Sequence, residues 1–171
     1  MNTRIEQIIT ANNVDFIINL GSYGWSDIFW VVDNKPINID SITHVFSDPH
    51  DEILDICLDL LDSKNCELYL FHEPGATKIS FEVLKEHQHL VKVIIYDVLD
   101  IIYQPTKDVV LKEVESFVMV KQQFLIIAYL QYKKITLLLR NRLYSRSRCS
   151  DFPIVKFKEL ELKMRKDSLI D

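Results

Sequence analysis

The feature that most constrains this fold is residues 47–75, SDPHDEILDICLDLLDSKNCELYLFHEPG, where helix-start signals lead into a strand pattern. Asp48 is a preferred N-cap residue, and Pro49 suits the first helical position. The acidic residues that follow are favoured in the first turn by the helix dipole. The segment therefore predicts a helix over residues 48–62, a strand that starts near Cys66, and a Pro-Gly hairpin turn after it.

Apolar and polar residues alternate on both sides of this helix, which is the pattern of half-buried strands. The predicted strands cover residues 14–20, 25–33, 37–46, 66–72, 77–84 and 90–99. Strands, a helix, more strands and then helices are the order expected of an α+β domain. We expect an antiparallel sheet of about five or six strands within residues 14–99, with helices packed on one face.

The C-terminal region is predicted to be helical over residues 106–168. Thr106 is a candidate N-cap for a helix that reaches about Tyr132. Residues 124–130 (FLIIAYL) are apolar on nearly every side, so they are either buried on more than one side or available for a homodimer. The chain of 171 residues contains three glycines, which leaves little room for linkers, so we predict one domain over residues 1–171.

Charge is distributed unevenly along the chain. Residues 1–100 carry 17 acidic and 6 basic residues, a net charge of −11, whereas residues 101–171 carry 8 and 14, a net charge of +6. This split indicates either two binding surfaces of opposite sign or attraction between the two halves. Four aspartates recur at helical spacing on the predicted helix, with no basic residue among them, at Asp51, Asp55, Asp59 and Asp62. We call them the acidic stripe, and both a solvated face and a surface for a basic partner are compatible with it.

Cysteine use and hydropathy bear on the cellular compartment. Cys57, Cys66 and Cys149 are odd in number and lack metal-type spacing, which is typical of free thiols in a reducing compartment. The N-terminus has no apolar run of signal-peptide length, and no stretch of about 18 uncharged apolar residues is present. We therefore expect a cytoplasmic protein without a membrane-spanning helix.

The sequence carries no complete catalytic motif. The GSYGWS segment lacks the pattern of a nucleophile elbow, and neither a Rossmann fingerprint nor a P-loop is present. A metal site is an alternative that would need the third strand, the helix start and the hairpin strand to converge. Its candidate ligands are His44, His50, Asp51, His72 and Glu73. Because they lack a metal-type spacing, no metal or other cofactor is predicted.

Two tryptophans lie on the second predicted strand. Alternation divides its side chains into two faces, which carry Trp25, Phe29 and Val31, and Ser26, Ile28 and Trp30, respectively. One face should belong to the core, so one tryptophan is a candidate for an exposed interface anchor. We take Trp30 as that anchor, while burial of both rings is also compatible with the pattern.

Three short motifs carry a family resemblance: GWS at residues 24–26, SDP at residues 47–49 and EPG at residues 73–75. With them, residues 20–100 resemble the immunity proteins of contact-dependent growth inhibition and other polymorphic toxin systems. The resemblance implies a non-enzymatic bacterial protein that binds the C-terminal domain of a cognate toxin and blocks its active site or its engagement of substrate. Many such toxins are nucleases with basic substrate clefts.

An acidic surface suits a basic cleft because carboxylates can occupy the positions of phosphates. The predicted partner-binding residues are therefore Asp51, Asp55, Asp59 and Asp62, with Trp30 as the apolar anchor. No membrane or direct nucleic-acid partner is expected from this hypothesis. The alternative is a nucleic-acid-binding or regulatory protein that uses Tyr144 and the basic cluster Arg140, Arg142, Arg146 and Arg148.

Overall fold

The computed structural model of the protein describes residues 9–99, 110–148 and 152–171. These residues form seven strands and four helices. In chain order they are β1 (Val14–Leu20), β2 (Trp25–Val32), β3 (Lys35–Thr43), α1 (Pro49–Leu61), β4 (Cys66–Phe71), β5 (Ala76–Leu84), β6 (His87–Val98), β7 (Leu111–Val120), α2 (Lys121–Leu138), α3 (Arg142–Ser145) and α4 (Ile154–Lys166). All paired strands are antiparallel and the last helix is C-terminal, so the predicted α+β class is confirmed.

The strands divide between two sheets, in the orders β1-β2-β3 and β4-β5-β6-β7. This differs from the single sheet of five or six strands expected from the alternation. The two sheets separate where α1 enters the chain between β3 and β4, because α1 packs against β4. A single antiparallel bridge, Ile42 to His72, joins the end of β3 to the residue that follows β4.

The core lies between the two sheets and α2, and aromatic rings fill its centre. The ring of Phe16 lies 4.7 Å from that of Trp30 and 5.3 Å from that of Phe124. Phe124, on α2, lies 4.9 Å from Phe81 on β5. One aromatic cluster therefore connects the first sheet, the second sheet and the long helix.

The capping residues of α1 behave as predicted. The Asp48 carboxylate accepts a hydrogen bond from the Asp51 backbone N–H at 3.1 Å, and Pro49 begins the helix. The buried side chains recur at helical spacing and include Ile53, Leu54, Ile56, Cys57 and Leu60. Local signals alone were sufficient to define this element.

The prediction that residues 106–168 are helical is wrong for residues 111–120, which form β7. Thr106, the predicted cap, lies outside the described residues. Strand β6 is central and buries side chains that need a neighbour on each side, and β7 supplies one by pairing Met119 with Val91 and Phe117 with Val93. The burial of Phe117 and Met119 against β6 stabilises the strand, although the valines of this segment also recur at helical spacing.

Helix α2 begins at Lys121, and the apolar residues 124–130 lie within it. Phe124, Leu125 and Ala128 are each at most 2% exposed, as expected of a segment that is buried on more than one side, while Leu130 is 54% exposed. Glu161 connects this helix to α4 because its carboxylate accepts hydrogen bonds from the Tyr129 hydroxyl and the Lys133 ammonium. None of the helices in the described part of the chain is long and apolar enough to cross a membrane.

Candidate partner-binding surface

The acidic stripe of α1 is paired with lysines of the C-terminal helix. Lys156 Nζ lies 2.7 Å from Asp55 Oδ2 and also contacts Asp51. About two helical turns further along α4, Lys163 Nζ lies 2.7 Å from Asp62 Oδ1. Of the two explanations for the charge asymmetry, attraction between the acidic and basic parts of the chain is therefore present in the fold.

The remaining aspartate of the stripe pairs locally. Lys64 Nζ, just beyond the end of α1, lies 3.1 Å from Asp59 Oδ1 and 3.4 Å from Asp62 Oδ2. Hydrogen bonding from Lys163, followed by the nearby charge of Lys163 and the contact with Lys64, holds the pKa of Asp62 below its ordinary value. The stripe thus lacks a basic residue in its own sequence, but the fold brings three lysines to it.

These contacts change what the acidic stripe offers to a partner. The side chains of Asp55 and Asp59 are 54% and 42% exposed, so they remain partly accessible. A basic partner at this surface would compete with Lys156 and Lys163 of the same chain. The role of the stripe as an interface stays a prediction, and intramolecular docking of α4 is the contact that the structure contains.

Trp30 is buried, so the prediction that it is an exposed interface anchor is wrong. Its side chain is 3% exposed, whereas Trp25 is 39% exposed. The physical reason is the register of the first hairpin, in which Trp30 lies directly opposite Phe16 on the inward face of β1. The indole Nε1 of Trp30 has no hydrogen-bond partner among the described residues.

The first sheet has one face toward the core, where Trp30 lies, and one face toward solvent, which we call the outer face. The outer face exposes several apolar side chains. Ile17 is 50% exposed and lies directly opposite Phe29, which is half-buried. Val31 is 36% exposed beside them on β2. The outer face consists of Asp15, Ile17, Asn19, Trp25, Asp27, Phe29, Val31, Pro36, Asn38 and Asp40.

The carboxylates of the outer face have neutral partners. Asp27 accepts hydrogen bonds from the Asn19 side-chain amide at 2.9 Å and from the Ser41 backbone N–H at 3.0 Å. Asp15 accepts one from the backbone N–H of Phe16. Within residues 9–99, 110–148 and 152–171, no Lys or Arg forms an ion pair with Asp15, Asp27 or Asp40. Asp15 and Asp27 are thus oriented by hydrogen bonds from uncharged donors.

Sequence reasoning grouped Trp25, Phe29 and Val31 correctly on one face but did not select that face as the exposed one. The signal was present in β1, where Val14, Phe16, Ile18 and Leu20 are apolar and their alternates include Asp15 and Asn19. Pairing β1 with β2 through the short turn places the apolar residues of β1 against Trp30. Strand register, rather than composition, identifies the outer face.

Two of the five candidate metal ligands meet at a buried serine. The Ser26 hydroxyl lies 2.9 Å from His44 Nε2 and 2.8 Å from His50 Nε2. His50 Nδ1 lies 3.4 Å from the Tyr132 hydroxyl on α2. Burial, with a smaller contribution from His44, lowers the pKa of His50 to about 3, so its imidazole is neutral near pH 7.

Ser26 and His50 are each 1% exposed, which favours a structural role for this cluster in joining β2, α1 and α2. His72 lies elsewhere, with its Nε2 3.2 Å from the Thr77 hydroxyl. Within the described residues, no group of three or more His, Cys, Asp or Glu side chains is arranged to hold a metal ion. The predicted convergence is therefore limited to His44 and His50.

The basic C-terminal cluster is partly occupied by contacts within the chain. Tyr144 donates its hydroxyl hydrogen to the Leu20 carbonyl at 3.3 Å, and the Arg148 guanidinium lies 4.5 Å from the centre of the Tyr144 ring. Arg148 also donates to the Leu20 carbonyl at 3.0 Å. The Tyr144 ring proposed to stack on a base is thus covered by Arg148, while Arg140, Arg142 and Arg146 are exposed.

Both thiols that the structure describes have a raised pKa, which disfavours the reactive thiolate form. Cys57 is buried, which raises its pKa above the ordinary value, and Cys66 has its pKa raised to about 12, first by burial and then by the charge of Asp59. Both are free thiols. Cys149 lies outside the described residues.

No protein family, curated protein or solved structure matches this chain. A function is therefore inferred from the surfaces of the described residues and from the resemblance of the three short motifs.

Proposed function

We propose that this chain is a cytoplasmic immunity protein that binds and neutralises the C-terminal domain of a cognate toxin, a nuclease with a basic substrate cleft. The protein would act as a non-enzymatic inhibitor that blocks the active site or the engagement of substrate. The observation that carries this proposal is the charge on the first third of the chain. Residues 9–62 contain ten acidic residues and a single basic residue, Lys35.

The fold compensates only part of this charge. Lys156 and Lys163 pair with α1, and Lys35 lies 3.7 Å from Glu115 on β7. The carboxylates of the outer face form no ion pair with a Lys or Arg in the described part of the chain. Such a surface attracts cationic protein surfaces and repels nucleic acid and anionic lipid. This charge favours a basic protein as the partner.

The contacts of the basic cluster give less support to nucleic-acid binding. Stacking a base on the face of Tyr144 that Arg148 covers would require displacement of Arg148 and loss of its hydrogen bond to Leu20. The exposed arginines are three residues on a chain whose net charge is −5. Short basic segments on acidic proteins are weak evidence for a nucleic-acid site.

The buried histidine cluster gives little support to nucleophilic catalysis. A serine nucleophile must reach the substrate, and the Ser26 side chain is enclosed. Its two imidazole partners can be satisfied together if one donates to the Ser26 oxygen and the other accepts its hydrogen. A satisfied, enclosed network is the arrangement expected of a structural polar cluster.

The proposal is tested at the native locus. The reading frame immediately upstream is expressed alone and together with this chain, and growth is followed. We expect growth arrest that this chain relieves, and a complex of the two proteins that weakens as salt concentration rises. A catalytically inactive form of the upstream product, expressed alone, is the control for toxicity that is unrelated to enzymatic activity.

A harmless upstream product, or toxicity that this chain does not relieve, would contradict the immunity proposal. In that case nucleic-acid binding is measured by a mobility-shift assay. Replacement of Arg140, Arg142, Arg146 and Arg148 by Ala should then abolish the shift if the alternative holds.

A further inference from the structure

The outer face of the first sheet combines exposed apolar side chains with carboxylates that lack ion pairs. Its centre is the directly opposed pair Ile17 and Phe29, extended along β2 by Val31. Solvent-exposed strands ordinarily carry polar side chains on their open face, and contiguous apolar residues rimmed by polar ones mark interaction sites. This pattern distinguishes the outer face from a merely solvated surface.

The outer face of the second sheet provides the internal comparison. There the strands carry charges of both signs, with Glu67 paired to Lys78 at 2.7 Å and Glu82 directly opposite Lys92. Tyr69 contributes to the same pairing because Lys78 Nζ lies 5.4 Å from the centre of its ring. The second sheet thus places Lys beside Glu on its outer face, with one ion pair formed, whereas Asp15, Asp27 and Asp40 of the first sheet form no ion pair with a Lys or Arg in the described residues.

The first sheet is also constrained at its edge, which makes the outer face a preorganised surface. Three side chains of α2 contact the β1 backbone: Gln123 donates to the Val14 carbonyl, Lys134 donates to the Ile18 carbonyl, and Gln131 accepts from the Ile18 N–H. These contacts occupy backbone groups that an added strand would need. A partner is thereby directed to the open face of the sheet instead of its β1 edge.

On these observations, and resting on the proposed function, we infer that the outer face of β1–β3 is the surface that binds the toxin domain. The partner surface it fits is basic, with an apolar side chain that packs on Ile17, Phe29 and Val31 and with Lys or Arg side chains that reach Asp15, Asp27 and Asp40. Charge complementarity selects a basic protein over a nucleic acid or the same face of a second copy of this chain, because both of those would bring further negative charge to the face.

The inference is tested with charge-reversal variants that match in net charge and differ in location. Asp15→Lys combined with Asp40→Lys alters the outer face, and Glu82→Lys combined with Glu86→Lys makes the same charge change on the second sheet. Association with the purified product of the upstream reading frame is measured over a range of salt concentrations. We expect the first variant to slow association by about tenfold or more and to reduce its salt dependence, and the second to have a much smaller effect.

The apolar centre is tested with Ile17→Thr, which keeps a β-branched side chain on the exposed strand. Val114→Thr on β7 is the control, because Val114 is 43% exposed and lies outside the outer face. We expect the dissociation constant to rise about tenfold for Ile17→Thr and to remain within about twofold for Val114→Thr. Thermal unfolding of each variant checks that the fold is retained.

The outcomes separate the surface from the function. Growth rescue and binding that persist in both outer-face variants would overturn the surface assignment and leave the immunity proposal in place. Loss of binding in Asp59→Lys instead would place the interface on the acidic stripe. A wild-type chain that sediments as a dimer and becomes monomeric with Ile17→Asp would show self-association through this face and overturn the inference. Absence of toxicity or rescue would overturn the immunity proposal and the assignment that rests on it.

Discussion

Lys156 Nζ lies 2.7 Å from Asp55 Oδ2, across 101 positions of sequence, and this contact joins the last helix to the first. The same ammonium also contacts Asp51. Burial alone would lower the pKa of Lys156, but its hydrogen bonds to Asp51 and Asp55 raise that pKa above its ordinary value. The ion pair therefore contributes to the docking of α4 on α1.

Replacing Lys156 with Met should lower the free energy of unfolding by about 1 kcal/mol, because two carboxylates lose their shared cation. The measurement is urea unfolding at low salt, with Lys158→Met as the control. Lys158 lies on the exposed side of the same helix, and its ammonium forms no ion pair in the described residues. Equal midpoints for the two variants would contradict a stabilising role for the contact.

Stability should fall as the pH is lowered because His50 is buried in its neutral form. Its pKa is about 3 in the folded protein, and the ordinary value is 6.5, so the unfolded chain binds more protons between these values. The free energy of unfolding should therefore decrease from about pH 6.5 downward, by up to about 1.4 kcal/mol per pH unit, and His50 should contribute nothing to the slope well above pH 7.

His50→Asn isolates this contribution. The variant should show a shallower decrease in unfolding free energy between about pH 7 and pH 5 than the wild type, even if it is less stable at pH 7. His89→Asn, at an exposed position of β6, is the control for replacing a histidine by asparagine. If the unfolding free energy of His50→Asn had the same pH dependence as that of the wild type, protonation of His50 would not be the cause of the decrease.

The two tryptophans should differ in fluorescence because Trp30 is buried and Trp25 is partly exposed. The chain contains no other tryptophan, so replacing one of them isolates the emission of the other. Trp25→Phe leaves the buried Trp30, so its emission should be blue-shifted and weakly quenched by acrylamide. Trp30→Phe leaves the partly exposed Trp25, so its emission should be red-shifted and strongly quenched. A strongly quenched Trp25→Phe variant would contradict the burial of Trp30.

Stability measurements provide a second test of the same residue. Trp30→Ala should lower the free energy of unfolding by about 3–5 kcal/mol because it opens a cavity among Phe16, Phe117 and Phe124. Trp30→Phe should cost less, in part because the indole Nε1 that it removes has no hydrogen-bond partner in the described structure.

The β2–β3 turn should tolerate Gly and resist a β-branched residue. Asp33 and Asn34 have φ angles of 47° and 68°, the two positive values of a type I′ hairpin turn. Asn34→Gly should change the free energy of unfolding by a few tenths of a kcal/mol, while Asn34→Val should cost about 1–2 kcal/mol. Asn38→Val, on the exposed face of β3, should be close to neutral in the same unfolding experiment.

Elements with local signals could be predicted from the sequence. The Asp48 cap and the helical spacing of apolar residues defined α1, and clean alternation defined β1 over residues 14–20. Strand β7 could not be predicted in the same way because residues 111–120 fit both periods. Its conformation is decided by pairing with β6, which is a tertiary contact.

The candidate binding surfaces were harder to predict from the sequence than the helices and strands, because they depend more on tertiary contacts. The four aspartates of the stripe are evident in the sequence, but the α4 lysines that pair with Asp51, Asp55 and Asp62 lie about a hundred residues later. The two faces of β2 were separable by alternation, and only the pairing of Phe16 with Trp30 determined which face is buried. The local sequence pattern thus predicts which residues share a face, and tertiary contacts determine which face is exposed to solvent.

The position of Lys156 and Lys163, about a hundred residues after their partners in α1, has a consequence for biosynthesis. Translation releases the acidic part of the chain before these lysines are made, so α1 leaves the ribosome without its α4 counterions. Residues 1–100 carry a net charge of −11, and mutual repulsion among nascent chains opposes their aggregation during this interval. Helix α4 then brings the counterions, so the ion pairs with α1 form only after α4 has been synthesised.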